Sequence, residues 1–209
     1  MLEYTIDPCL LIQPPSSYIT AGEKIEIPLG CQELHHEIEL GVVISKQCKR
    51  VSPDQAMDYV GGYCIALDMT ARDFQVIICA SHYLSRLNMN ITFIKNEAKA
   101  KGHPWTLAKM FDTSLPVSNF IPVSSIPDPH NVNLWCKVNE ELRQNGNTKD
   151  MIFNVPTLLS FISQYFTLEE GDLVLTGTPS GVGPVRSGDT ITGGIPGLVD
   201  IKFDVIQRS

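Results

Sequence analysis

The segment at residues 35–45 constrains the fold more than any other part of the chain, because its apolar residues recur at every second position. Such a period of two predicts a β-strand with one face turned toward a core. The opposite face carries Glu37 and Glu39, whose side chains would lie about 6.5–7 Å apart along the strand. Two carboxylates at that spacing repel each other unless water or a cation lies between them. The pattern alone leaves open a solvated strand face or a cation site.

A second apolar strand, predicted at residues 63–67, ends at Asp68. Together with Glu37 and Glu39 this residue would complete a set of three carboxylates. Hard oxygen ligands of this kind suit Mg²⁺, Mn²⁺ or Ca²⁺ better than Zn²⁺. His35 shares the parity of the two glutamates, so a histidine–carboxylate site for a transition metal is an alternative at this point.

The remaining pattern predicts many short strands and few helices. Thr70 is interpreted as the N-cap of a helix that runs through Arg72 and Gln75. Residues 139–147 are interpreted as a polar hairpin connection, and residues 176–184 as a glycine-rich loop. The other segments predict strands at 132–138, 173–176, 189–192 and 198–205, and helices at 53–59 and 155–166. The fold class is therefore α+β and mainly β, in one domain over residues 1–209 with short peripheral helices.

Composition excludes several classes of function. The net charge is −7 and the basic residues form no stripe, so nucleic acid is not an expected partner. No apolar run approaches the length of about 18 residues that a membrane-spanning helix needs. The six cysteines contain no CxxC pair, which predicts free thiols in a reducing compartment. The first residues show neither a secretion signal nor a presequence pattern.

A few further polar residues could contact a ligand. Arg72 and Gln75 would share one helix face, although an ordinary surface arginine is the simpler interpretation. Lys109 has apolar and aromatic neighbours in sequence, and its side chain could instead extend to solvent. Thr178 lies in the glycine-rich loop, which matches neither a phosphate-binding P-loop nor a dinucleotide fingerprint. No Gly-x-Ser-x-Gly sequence is present, which disfavours a covalent serine nucleophile.

Several segments taken together resemble the fumarylacetoacetate hydrolase family, and within it the branch of acylpyruvases and oxaloacetate decarboxylases or tautomerases. The likeness covers residues 14–75 and 97–205 and is specific as a combination. The segments that carry it are residues 34–43, 58–63, 67–73, 102–109, 126–129 and 168–183.

The resemblance implies a rolled, barrel-like β-sheet core in a homodimer. By match, Glu37, Glu39 and Asp68 would hold Mg²⁺ or Mn²⁺. The residues implied to contact a small oxo-carboxylate substrate are Arg72, Gln75, Lys109 and Thr178, with Lys109 also catalytic. The implied reactions are acylpyruvate hydrolysis, oxaloacetate decarboxylation and keto–enol tautomerisation, which share an enolate. Family likeness also implies a mitochondrial location.

The chain departs from the family pattern in two places. The family's N-terminal lid segment, with the His and Glu that activate water, has no counterpart before Pro14. A protein that binds metal and oxoacid without turnover is therefore one alternative, and a β-rich interaction domain is another. The second departure is residues 76–96, an apolar stretch interpreted as an atypical insertion from a gene-model error such as a retained intron. Its deletion is expected to raise thermal stability.

Overall fold

The computed structural model describes residues 7, 8, 10–75 and 105–208. Residues 76–96 lie outside these ranges, so their interpretation as an insertion stays a prediction. Within the described ranges, no helix has the length and apolar character needed to cross a membrane. Cys31, Cys48, Cys64 and Cys136 are buried free thiols, as expected, whereas Cys9 and Cys79 lie outside the described ranges.

The described residues form fourteen strands in four open sheets, which confirms the mainly β class. A five-stranded sheet has the order β10-β9-β13-β14-β2, where the strands are Glu141–Asn147, Asn133–Val138, Thr190–Ile195, Val199–Gln207 and Lys24–Ile27. A four-stranded sheet has the order β11-β4-β5-β8, with strands Leu173–Leu175, Ile38–Ile44, Val60–Leu67 and Ile121–Pro122. Two small sheets pair β12 with β3 and β6 (Gly183–Val185, Leu34–His36, Thr70–Ala71) and β1 with β7 (Tyr18–Ile19, Leu115–Pro116).

The antiparallel pair β4–β5 lies at the centre of the hydrophobic core. Every residue of β4 except Val43 is buried, so both faces of this strand are covered, whereas the sequence pattern predicted one covered face. The five-stranded sheet packs closely against it: a Cβ on Gly193 of β13 would lie 2.7 Å from the Ile38 side chain. The two glutamates therefore belong to the interior of the protein and not to a solvated face.

The strand predicted over residues 35–45 is interrupted at Glu37. The chain leaves the small sheet at His36 and enters the four-stranded sheet at Ile38. In the second sheet Ile38 is paired with Leu67. The chain thus passes from one sheet to the other at Glu37.

Helices are short and few in the described residues. Helix α1 covers Thr106–Lys109 and helix α2 covers Val155–Tyr165, close to the prediction at 155–166. Asn154 begins α2 by accepting a hydrogen bond from the Thr157 amide, an ordinary N-cap. Four 3₁₀ turns complete the set, at Pro15–Ser17, Ala56–Tyr59, Val123–Ser125 and Thr148–Asp150.

Two further local predictions were wrong. Thr70 is not a helix N-cap: it lies in β6, its hydroxyl donates to the Asp68 carbonyl, and helical residues begin only at Phe74. Residues 139–147 are not simply a connection, because Glu141–Asn147 is strand β10, joined to β9 by a two-residue turn. Both turn residues, Asn139 and Glu140, have positive φ (50° and 66°), as this type of hairpin turn requires. A glutamate at such a position gives no turn signal in the sequence.

Candidate metal and substrate site

The three predicted carboxylates come together in the structure. Glu37, Glu39 and Asp68 are all buried, and one oxygen from each lies within 4.8 Å of the other two. This proximity follows from the strand register, because Asp68 comes directly after Leu67, which is paired with Ile38. The Asp68 amide also donates to the Glu37 carbonyl at 2.8 Å. The two segments that carry the acids are therefore fixed to each other through the backbone.

Two basic side chains contact the carboxylates. The Lys109 ammonium donates to Glu37 Oε2 at 2.8 Å and also to Asp68 Oδ2. The Arg72 guanidinium donates to Glu37 Oε1. Lys109 is 4% exposed and ends helix α1, so it does not extend to solvent, which was the simpler alternative. The cluster is therefore a buried network in which two cations partly balance three acids.

The electrostatics of the cluster are those of buried and mutually repelling acids. Burial and the neighbouring Asp68 raise the pKa of Glu39 from 4.5 to about 8, against the Gly177 amide and Lys109, which lower it. Burial also raises the pKa of Asp68, although Lys109 opposes this shift. Burial lowers the pKa of Lys109, but Asp68 and Glu37 outweigh it and the net direction is upward. Lys109 is thus an ammonium at neutral pH, suited to holding negative charge and not to removing a proton.

The donor set fits a divalent cation. Oxygen ligands of Mg²⁺ or Ca²⁺ lie about 2.0–2.6 Å from the ion, so oxygens sharing one ion are at most about 5.2 Å apart. The carboxylate oxygens of Glu37, Glu39 and Asp68 meet this condition. A cation would also offset the repulsion that keeps Glu39 protonated. His35 is not part of the set, because its Nε2 contacts Glu33 Oε1 at 3.1 Å. The three carboxylates therefore form a set of oxygen ligands that could hold a divalent metal ion.

The other predicted site residues adjoin the cluster. Gln75 accepts a hydrogen bond from the Arg72 guanidinium at 3.1 Å, and its buried Nε2 has no partner among the described residues. Thr178 donates to the carbonyl of Ile38, the residue between Glu37 and Glu39, at 2.7 Å. Gln75 therefore offers a donor next to the cluster, and Thr178 is joined to Ile38, the residue between two of the acids. Their contact with a substrate stays a prediction.

Sequence reasoning missed several residues of the site. Gln13 donates to Asp68 Oδ1 at 2.9 Å and to the Lys109 carbonyl at 3.2 Å, which leaves Asp68 Oδ2 for Lys109 or a cation. The Gly177 amide donates to Glu39 Oε2 at 2.6 Å. Neither contact has a signal in the sequence, since Gln13 lies 55 positions from Asp68 and Gly177 contributes only its backbone.

The raised pKa of Glu39 leads to a prediction about pH. A carboxyl whose folded-state pKa is raised stabilises the fold below its unfolded pKa and loses that contribution as the pH rises through the folded value. Without metal, the protein should therefore lose stability relative to a Glu39→Gln variant between about pH 4.5 and about pH 8. Urea unfolding of both proteins in a chelator would measure this difference. A constant difference across that interval would contradict the assignment of Glu39 as a buried, charge-repelled acid.

Fold and site together define a class: a mainly β protein with three buried carboxylates, suited to a divalent metal ion, at the junction of two sheets. Comparison with known proteins places the chain more narrowly. The family model described as fumarylacetoacetate (FAA) hydrolase C-terminal matches residues 2–85 and 88–206, and thus runs through most of residues 76–96. The chain belongs to the fumarylacetoacetate hydrolase family.

Individual relatives agree with this membership. The human protein named oxaloacetate tautomerase FAHD1, mitochondrial, is 50% identical over 199 residues, which are 95% of this chain and 81% of the relative. The Caenorhabditis elegans protein named oxaloacetate tautomerase fahd-1, mitochondrial, is 50% identical over 198 residues, 95% of this chain and 83% of the relative. A match of this extent makes the chain an enzyme of the family, so the non-catalytic alternatives are not supported.

Two solved structures of other proteins are similar to this chain, and one of them contains a bound metal and a small oxo-acid. The fumarylpyruvate hydrolase from Pseudomonas aeruginosa in complex with Mn²⁺ and pyruvate has a TM-score of 0.78 and 32% identity, over 94% of this chain and 77% of that one. The 2-hydroxyhepta-2,4-diene-1,7-dioate isomerase from Mycobacterium marinum has a TM-score of 0.80 and 33% identity, over 99% of this chain and 71% of that one.

Proposed function

We propose that this protein interconverts the enol and keto forms of oxaloacetate with Mg²⁺ or Mn²⁺ as cofactor. The observation that carries the proposal is the buried set of Glu37, Glu39 and Asp68 with the Lys109 ammonium on two of its members. The relatives named oxaloacetate tautomerase, at 47–50% identity, supply the substrate class. Small 2-oxo-carboxylates in general fit the same arrangement.

In this proposal Glu37, Glu39 and Asp68 hold the cation. When bound, the cation would act as a Lewis acid toward the 1-carboxylate and the 2-oxo group of the substrate. Lys109 holds the negative charge that develops on the oxygen during enolisation, because its pKa is raised and the group is an ammonium. The proton that Lys109 can donate to this oxygen lies on Nζ.

Three other side chains bind and orient the substrate. The Arg72 side chain is 32% exposed, so its guanidinium can bind Glu37 and, on its exposed side, a carboxylate of the substrate. Gln75 offers the Nε2 donor that has no partner among the described residues. Thr178 approaches from the loop that also bonds Glu39 through Gly177. Low exposure of the acids excludes bulk water and strengthens each of these interactions.

A second candidate reaction is hydrolysis of an acylpyruvate. The structural similarity to a fumarylpyruvate hydrolase bound to Mn²⁺ and pyruvate favours it, because pyruvate is one product of such a cleavage. In this reaction the Lys109 ammonium would stabilise the negative charge of the pyruvate enolate that leaves, and the same enolate arises when oxaloacetate loses CO₂. The reactions differ in the need for a base that activates water.

Steady-state assays with Mg²⁺ and with Mn²⁺ can separate these reactions. We expect the protein to convert enol-oxaloacetate with a kcat/KM at least about 100-fold above that for acetylpyruvate cleavage, since enolisation needs no activated water. Loss of the enol absorbance of oxaloacetate and loss of the absorbance of acetylpyruvate would be followed in the same buffer, with chelator-treated protein as the control. Faster cleavage of acetylpyruvate than tautomerisation would contradict the first proposal and favour the second.

The remaining parts of the proposal concern the whole chain. We infer one catalytic domain over residues 1–209, which forms a homodimer and acts in mitochondria. The names of the relatives support the location, and the family resemblance supports the dimer. Light scattering of the purified protein would test the dimer, and imaging of the tagged full-length protein would test the location.

A further inference from the structure

Gln144 is a buried polar residue in a strand that otherwise faces solvent. Its exposure is 0%, whereas most of its neighbours in β10 are exposed. The strand register explains the difference: Leu142 is paired with Lys137 and Gln144 with Cys136, so Arg143 is an extra residue in a β-bulge. A bulge of this kind turns the following side chain to the other face. Here it turns Gln144 inward.

The Gln144 amide uses its full hydrogen-bonding capacity between the site strand and the glycine-rich loop. Its Oε1 accepts from the Ile38 amide at 3.1 Å and lies 2.9 Å from His36 Nδ1. Its Nε2 donates to Thr178 Oγ1 and to the Pro179 carbonyl, both at 2.8 Å. A glutamine amide can make four such bonds. None of its polar atoms is left without a partner.

These contacts fix the orientation of the amide group. The Ile38 amide can only donate and the Pro179 carbonyl can only accept, so exchanging Oε1 and Nε2 would break both bonds. His36 Nδ1 must then carry the hydrogen it gives to Oε1. Burial lowers the pKa of His36, which agrees with a neutral ring held in one tautomer.

Thr178 is consequently held from two sides. Its hydroxyl donates to the Ile38 carbonyl and accepts from Gln144 Nε2, which fixes the direction of the hydrogen. The loop around it is seated tightly on β10, because a Cβ at Gly181 would lie 2.0 Å from the Arg143 carbonyl oxygen. The loop also reaches the cluster through the bond from Gly177 to Glu39.

We propose that Gln144 is a positioning residue, which fixes Thr178 and the loop that carries it relative to residues 37–39, which include Glu37 and Glu39. It acts through Thr178 and does not itself touch the carboxylates. The expected effect on the rate rests on the proposed function, in which Thr178 orients the substrate and Gln144 positions Thr178. Its structural consequence can be measured by ligand binding alone.

The test is the variant Gln144→Glu, which keeps the size of the side chain and the acceptor for Ile38 and His36 but loses the donor to Thr178. Displacement of a substrate-orienting group costs up to about 100-fold in rate. We expect kcat/KM for oxaloacetate to fall about 10- to 100-fold. Oxalate, a mimic of the enolate, should bind the Mn²⁺-loaded variant about 10-fold more weakly. Mn²⁺ itself should bind with an affinity within about threefold of the parent, because the Ile38 amide, between Glu37 and Glu39, keeps its hydrogen bond to residue 144.

A double-mutant cycle with Thr178→Val separates positioning from general damage to the fold. If Gln144 acts through Thr178, Gln144→Glu should weaken oxalate binding by less than about threefold in the Thr178→Val background. Ser163→Ala is the matched control: it removes a buried hydroxyl that bonds Val51 and Ser160 in another part of the protein. That variant should lower the melting temperature without changing oxalate affinity.

Two results would overturn the inference: unchanged oxalate affinity in Gln144→Glu, or an equal loss with and without the Thr178 hydroxyl. If Gln144→Glu does not fold, the cycle is measured with Gln144→Met, which introduces no charge and removes both the donor to Thr178 and the acceptor for Ile38 and His36. A parent protein that binds Mn²⁺ and oxalate without converting oxaloacetate would contradict the proposed function. The oxalate cycle would still decide the role of Gln144.

Discussion

Replacing Asp68 by asparagine is expected to lower the affinity for Mn²⁺ by about 100-fold or more. Even mutation of a residue that only supports a metal ligand typically lowers metal affinity about 10- to 100-fold. The change keeps the shape of the side chain and the acceptor for Gln13 but removes one of the three negative charges. It also presents an amide to Lys109, which already donates to this position. Isothermal titration with Mn²⁺ in a chelator-free buffer measures the affinity, and turnover of oxaloacetate should fall in parallel.

Asp73→Asn is the matched control. Asp73 is also a buried carboxylate, five residues further along, but it bonds Cys31 and the Gln32 amide and does not belong to the three-acid cluster. Its replacement should reduce stability and leave Mn²⁺ affinity within about threefold of the parent. Equal Mn²⁺ affinity in Asp68→Asn and the parent protein would remove Asp68 from the ligand set.

The second large effect is expected for Lys109→Met. Loss of a positioned ammonium should reduce kcat/KM for oxaloacetate by about 100- to 1,000-fold, the range typical for an acid–base or charge-stabilising group. Mn²⁺ should bind at least as tightly as before, because the methionine removes a cation that contacts Glu37 and Asp68. Metal binding and turnover are therefore predicted to change in different directions. That separation is a specific sign of a role in the reaction.

Lys137→Met serves as the comparison for this variant. Lys137 is a half-buried lysine that contacts Glu140 and lies over the Trp135 ring, and neither contact involves the three site carboxylates. We expect full turnover after its replacement. A Lys109→Met protein that keeps more than about a tenth of the parent kcat/KM would show that Lys109 only neutralises the buried acids.

The meeting of the three carboxylates could be predicted from the sequence because its signal is local. Alternation over residues 35–45 predicts that Glu37 and Glu39 lie on one strand face, and the apolar strand before Asp68 predicts that this residue lies at a strand end. Both inferences depend on short-range geometry, and the strand register confirmed that the three residues meet. Lys109 and Arg72 could be joined to the cluster only through family resemblance, since neither has a spacing relation to it.

Other features had no local signal. Strand β10 is polar and exposed along most of its length, so its sequence resembles a loop. The bulge that turns Gln144 inward depends on pairing with β9 and cannot be read from residues 141–147 alone. Gln13 approaches Asp68 from a turn-rich segment far away in the chain. Contacts of this kind arise from tertiary packing, which periodicity does not describe.

The hydrogen bond from the Asp68 amide to the Glu37 carbonyl exists only in the native register of β4 and β5. Cation binding, which needs all three carboxylates together, would therefore depend on that register. Because strand side chains alternate, a slip of β5 by one residue against β4 would turn Asp68 away from the two glutamates. A slipped chain could not assemble the three ligands, whereas the native chain could. Cation at 100 times its dissociation constant would favour the native register by about 2.7 kcal/mol. The metal would then select among alternative strand pairings during maturation, in addition to serving the reaction.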